Sequence, residues 1–139
     1  MIVLDTNVVS EVLRPHPDAR VVAWMQNLTG AVAITAVTLA EILAGVRRLP
    51  DGRRKSALGS RIDAALQPYR RTKAVLAFDD AAADHYADVL VARERAGIPI
   101  STADAQIAAI CRASSASCAT RNTKDFAYTG IELVDPWAR

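Results

Sequence analysis

The chain has 139 residues, 51% hydrophobic but only 5% aromatic, with a net charge of +2, which suits one domain whose core needs no covalent staples. No run approaches the roughly 18 apolar residues of a membrane span, and Met1 leads straight into an apolar segment without a basic, cleavable leader, so a cytoplasmic protein with no membrane contact is expected. Cys111 and Cys118 have neither CxxC spacing nor a histidine close by, which predicts buried free thiols and excludes a zinc or disulfide framework.

In chain order, "MIVLD" predicts a short buried strand and "AVAIT" a second, both continuous apolar runs of the kind parallel sheets use. Between them "TNVVSEVLR" and "DARVVAWMQNL" predict helices, parted by the turn from Pro15 to Pro17. "TLAEILAGVRRL" is the next helix, followed by a turn from Pro50 to Gly52 and a further helix over "RRKSALGSRIDAALQPY". "KAVLAF" is extended, and "DDAAADHYADVLVARERAG" is a helix that opens on aspartates and stops at Gly97. "IPISTADAQIAAICRA" holds a turn at Pro99 and then a helix, and "SCAT" and "IELVDP" are the last strands, separated by "RNTKDFAYTG". Apolar strands alternating with helices predict an α/β protein, a three-layer α/β/α sandwich on a short parallel sheet, with a single domain over residues 1–139.

Charge is unevenly spread. From Arg47 to Lys73 nine basic residues face two acids, a local +7 that leaves −5 for the rest of the chain. Such a stretch is either a solvated surface or a contact for a polyanion, with Arg53, Arg54 and Lys55 as candidate contacts.

Ligands of open α/β sheets gather beyond the carboxyl ends of the strands. Asp5 closes the first strand, Asp125 follows "SCAT", Glu41 lies six residues beyond the second strand, and Asp104 opens the helix after "IPIST". Each has a local explanation. Asp5 suits a helix cap, Thr38 to Glu41 and Ser101 to Asp104 have capping-box spacing, and Asn122 with Asp125 suits a polar turn. Two patterns argue for more. From Ala36 to Val46 every residue except Thr38 and Glu41 is apolar or glycine, so Glu41 is expected to face inward. Asp104, Ile107, Ala108 and Cys111 share one helix face, which puts Asp104 on the packing side. Buried unpaired carboxylates cost several kcal/mol each, so a group of them requires cations. His16 lies in a turn and His85 in a helix, and no Ser-His-Asp order can be made from them. Carboxylates alone suit a hard cation, Mg²⁺ or Mn²⁺, rather than zinc. Such ions serve phosphoryl chemistry, and the basic stretch then points to phosphodiester hydrolysis in a nucleic acid.

"VLDTNVVSEVLR", "TAVTLAEILAGVRRLP", "IPISTADAQIAAIC" and "ATRNTKDFAYTGIELVDPW", in this order and spacing, resemble the PIN-domain ribonucleases, in particular the FitB-like branch of the VapC-type toxins. The stretch from Asp51 to Phe78 carries no motif of the family. The resemblance implies that Asp5, Glu41 and Asp104 ligate metal directly or through water and that Asp125 is a fourth member. It also implies that Thr6 supports the site and that Asn122 meets the substrate or a bound water. The implied reaction is endonucleolytic: a metal-activated water attacks phosphorus in line and the 3′ oxygen leaves. Implied partners are the RNA substrate, a second copy in a homodimer, and a VapB-like antitoxin whose tail occupies the acidic groove and through which alone DNA is met. A catalytically silent binding protein of the same fold is opposed by the four intact acids. A phospho-receiver domain is opposed by Thr6 and Asn7, which stand where a second acid is wanted. A ligand as close to the N-terminus as Asp5 further requires "IVL" to be a central strand, clamped on both sides.

Overall fold

The computed structural model describes residues 1–138. Among them are five short strands: β1 (Ile2–Leu4), β2 (Val32–Thr35), β3 (Val75–Leu76), β4 (Ser117–Ala119) and β5 (Leu133–Val134). The helices are α1 (Thr6–Val12), α2 (Ala19–Gln26), α3 (Ala36–Arg47), α4 (Arg53–Arg71), α5 (Asp80–Arg95) and α6 (Thr102–Ala113). The strands form one sheet in the order β3-β2-β1-β4-β5, and every neighbouring pair is parallel. Ile2 and Val3 pair with Val32 and Ala33 on one side and with Ser117 and Cys118 on the other, so the N-terminal strand is the central one, clamped on both sides as expected.

The pleat divides the apolar side chains between two layers. Leu4, Ile34 and Ala119 point to one face and pack with Val8, Val21, Trp24, Ile42 and Leu66, whereas Val3, Ala33 and Cys118 point to the other and meet Val89, Ala105 and Ala108. Each fully buried Val, Leu or Ile contributes about 1.5–3 kcal/mol, and both faces are covered because parallel strands need helical crossovers. Cys111 and Cys118 are free and buried, as expected. No helix among the described residues is long and apolar enough to cross a membrane.

Helix starts follow local chemistry. Asp18 accepts from the Arg20 N–H, Asp79 from Ala82 and Ser101 from Asp104, each a cap that stabilises its helix by about 1 kcal/mol. The expected Thr38–Glu41 capping box does not form. The start of α3 lies three residues earlier, where Thr35 Oγ1 accepts from the Thr38 N–H at 3.0 Å, so Thr38 is buried inside the helix. At the end of α5, Gly97 takes φ of 69°, a left-handed turn that lets the Ile98 N–H reach the Arg93 carbonyl. All parallel strands end on one edge of the sheet, and that edge carries Asp5, Thr35 and Thr120.

Candidate active site

Asp5 is the residue after β1 and the N-cap of α1, and it is 5% exposed. Its Oδ1 accepts from the Thr6 N–H at 2.8 Å; its Oδ2 accepts from Thr120 Oγ1 at 2.8 Å and from Asn7 Nδ2 at 3.2 Å. Thr120 is fully buried, and its hydroxyl also accepts from the Asn122 N–H at 3.0 Å and from Asn7 Nδ2 at 3.3 Å. One donor and two acceptor sites are thereby used, which locks the rotor toward Asp5. Thr6 Oγ1 lies 2.9 Å from Glu41 Oε1, to which it donates, and 3.0 Å from Thr38 Oγ1. Thr6 thus ties α1 to α3 and holds the Glu41 carboxylate on the side of Asp5.

Asp104 sits in the first turn of α6 and is half-buried, on the face whose next members, Ile107, Ala108 and Cys111, are fully packed. Asp125 is exposed in a 3₁₀ turn (Thr123–Phe126) whose backbone is held from behind. Arg93, only 2% exposed, donates to the carbonyls of Asp125 at 2.8 Å, Ala127 at 2.9 Å, Ile98 at 2.9 Å and Pro99 at 2.8 Å. Its guanidinium is spent on carbonyls and fixes the Asp125 loop against the entrance to α6, so it forms no ion pair with the acids.

Burial pushes the Asp5 carboxyl above its ordinary range, the hydrogen bonds from Thr120 and Thr6 pull it back, and the negative charges of Glu41 and Asp125 push it up again. Asp104 is likewise raised, first by burial and then by Asp5 and Asp125, against the lowering effect of Ser101 and a smaller one of Arg93. Asp5 therefore feels the charges of Glu41 and Asp125, and Asp104 those of Asp5 and Asp125. The ion pairs among the described residues, Arg14–Glu11, Arg20–Asp18 and Lys55–Asp51, involve none of them. The donor set is all oxygen, which suits Mg²⁺ or Mn²⁺, although among the described residues no three acidic groups close into a finished ligand cage. An excess of negative charge that no ion pair among the described residues offsets is what a hard divalent ion would relieve.

The inward placement expected of Glu41 is not observed. Glu41 is exposed, as are its neighbours Ala40 and Gly45. The outer face of α3 is built from small and apolar residues because it forms one wall of a groove of about 520 Å³, with Leu13 of the α1 end and Leu58 and Ile62 of α4 opposite. An apolar helix face thus marked a groove and not a core. Asn122 is exposed and touches the site through its backbone N–H. In the basic stretch, Lys55 Nζ is bound to Asp51 at 3.0 Å and to the Arg47 carbonyl at 3.2 Å, Arg54 lines the groove, and Arg53 is exposed. Three contributors escaped the sequence reading. Asn7 was signalled only by its place in "DTN", Thr120 only by lying one residue past β4, and Arg93 looked like an ordinary cation in the last turn of a helix.

The chain matches the family model for the PIN domain over residues 2–131, and it belongs to the PIN-domain family. It is 38% identical over 138 residues to Toxin FitB of Neisseria gonorrhoeae, covering 99% of both chains. It is 36% identical over 138 residues to VapC ribonuclease Y4jK of Sinorhizobium fredii, covering 99% of this chain and 98% of the relative. The crystal structure of FitAcB from Neisseria gonorrhoeae superposes with a TM-score of 0.92 over 100% of both chains at 38% identity.

Proposed function

We propose that this protein is a metal-dependent endoribonuclease and the toxin of a toxin–antitoxin pair. The observation that carries the reading is the convergence of Asp5, Glu41, Asp104 and Asp125 at one edge of the sheet, with the carboxyls of Asp5 and Asp104 raised by burial and by the other acids. The reaction is hydrolysis of an RNA phosphodiester, in which water attacks phosphorus, the 3′ oxygen leaves, and 5′-phosphate and 3′-hydroxyl ends result. Asp5, Glu41, Asp104 and Asp125 would hold Mg²⁺ or Mn²⁺, which when bound lowers the pKa of a water and neutralises charge on the phosphate. Thr120 and the Thr6 N–H fix the Asp5 carboxylate, the Thr6 hydroxyl orients Glu41, and Arg93 holds the Asp125 loop, so the acids are positioned before substrate arrives.

The antitoxin partner is supported by the similarity to FitB and by the groove that begins at Thr6 and Glu41 and runs between α3 and α4. Its apolar walls suit the hydrophobic side of a peptide segment, so a bound VapB-like tail would cover the acids at the groove's end. DNA would be met through that antitoxin, and a homodimer in the cytoplasm is the proposed form. Purified protein is expected to cleave RNA with Mg²⁺ or Mn²⁺, to stop with chelator, and to lose activity in Asp5→Asn and Asp104→Asn. Variants that cleave as fast as the parent would assign the activity to a contaminant and remove these residues from the site.

A further inference from the structure

The loop that carries Asp125 continues to an aromatic ring that the fold leaves bare. Tyr128 is 68% exposed, more than any other large hydrophobic side chain among the described residues, and its backbone takes φ of 60°. A bulky non-glycine residue is uncommon in this region, and here no burial of the ring offsets the strain. The backbone around it is nonetheless fixed. Phe126 is anchored in the core, Arg93 holds the Asp125 and Ala127 carbonyls, and the Thr129 hydroxyl donates to the Phe126 carbonyl. The ring is therefore presented on a rigid support. Tyr128 lies three positions beyond Asp125, a reach of at most ~11 Å. Arg121 and Lys124, both exposed, lie in the same segment and take part in no ion pair among the described residues. The Arg121 guanidinium lies 5.1 Å from the Trp137 ring centroid, which steadies it at the surface.

Exposed cations in the same segment as an open aromatic face suit single-stranded RNA, the former for phosphates and the latter for a base. We propose that Tyr128 is a stacking platform for an unpaired RNA base a few nucleotides from the scissile phosphate, with Arg121 and Lys124 contacting the phosphates between. The proposal rests on the reading of the four acids as a ribonuclease site. Every base has a π face, so the platform selects unpaired RNA over paired RNA and not one base over another. Stacking of this kind changes affinity by about 5- to 150-fold per base.

The test uses an unstructured, fluorescently tagged oligoribonucleotide with the intact protein. Tyr128→Ala is expected to raise KM about 10-fold while kcat stays within about twofold, and Tyr128→Phe is expected to restore KM. Anisotropy of the same oligonucleotide, with Asp104→Asn proteins carrying Tyr128 or its alanine replacement, should show the same loss in affinity without turnover. Unchanged KM and anisotropy in Tyr128→Ala would overturn the platform and leave the ribonuclease reading standing. A parent that binds RNA without cleaving it would defeat the nuclease reading alone, with anisotropy still deciding the platform. A parent that neither binds nor cleaves would defeat both. Conversion of a dimer to a monomer by Tyr128→Ala, with RNA affinity unchanged, would assign the ring to a contact between copies and refute the proposal.

Discussion

Replacing Thr120 with valine deletes one hydroxyl from a fully buried position and keeps the side chain's shape. The deleted group is the donor to Asp5 Oδ2 at 2.8 Å, and with Asp5 only 5% exposed, water has little access to replace it. A hydrogen bond to a charged group contributes about 1.5–3 kcal/mol net. Asp5 retains the Thr6 N–H and Asn7 Nδ2, so a loss of about 2 kcal/mol is expected, or roughly 5–8 °C in Tm for a domain of this size. The loss depends on pH. Burial already holds the Asp5 carboxyl above its ordinary range, and Thr120 is the largest influence pulling it down, so the valine variant raises it further. Ionisation of such a carboxyl is disfavoured in the fold; the stability present below its unfolded pKa is lost as pH rises through the folded one, and the variant loses more than the parent. Parent and variant should therefore converge as the solution is acidified and differ fully at neutral pH. Urea unfolding followed by circular dichroism in chelator, at neutral pH and near pH 4, reads both quantities. A difference below about 0.5 kcal/mol at neutral pH, or one that persists undiminished in acid, would refute the assignment of Thr120 as the support of an ionised Asp5.

Further outcomes follow from the same geometry. Asp104→Asn relieves repulsion from Asp5 and Asp125, so the metal-free variant should be more stable than the parent by up to about 1 kcal/mol at neutral pH; this advantage should vanish as pH falls below the raised carboxyl range, as thermal melts in chelator would record. Arg93→Met leaves four carbonyls without their donor and should cost about 3–5 kcal/mol in urea unfolding while lowering kcat through the loosened Asp125 loop; a stable variant with unchanged kcat would contradict this role. Charge reversal of Arg53, Arg54 and Lys55 should weaken RNA binding and flatten its dependence on salt, whereas an unchanged salt slope would return this stretch to solvated surface.

Much of the molecule is legible in local pattern. Apolar runs and helical spacing suffice for the strands and helices, and the run "IVL" beside Asp5 led to a central strand because a ligand needs a clamped backbone. Asp104 was placed on the packing side because its face-mates follow at helical spacing, which is a property of one helix. Glu41 shows the limit of such reasoning. An apolar helix looks buried from its own sequence, but whether α4 lies against it or leaves a groove beside it is decided between helices. The pairing of Thr120 with Asp5, 115 positions apart, exists because β1 and β4 are neighbours in register, and no spacing rule reaches that far. Arg93 is the same case, since its four acceptors come from two loops that only the packed fold brings together. Sequence by itself determined the type of each element and the acids at the strand ends, because periodicity and capping act over a few residues. Tertiary structure alone decided which hydroxyl steadies Asp5 and which cation holds the Asp125 loop, because side chains distant in sequence meet only through strand register and helix packing.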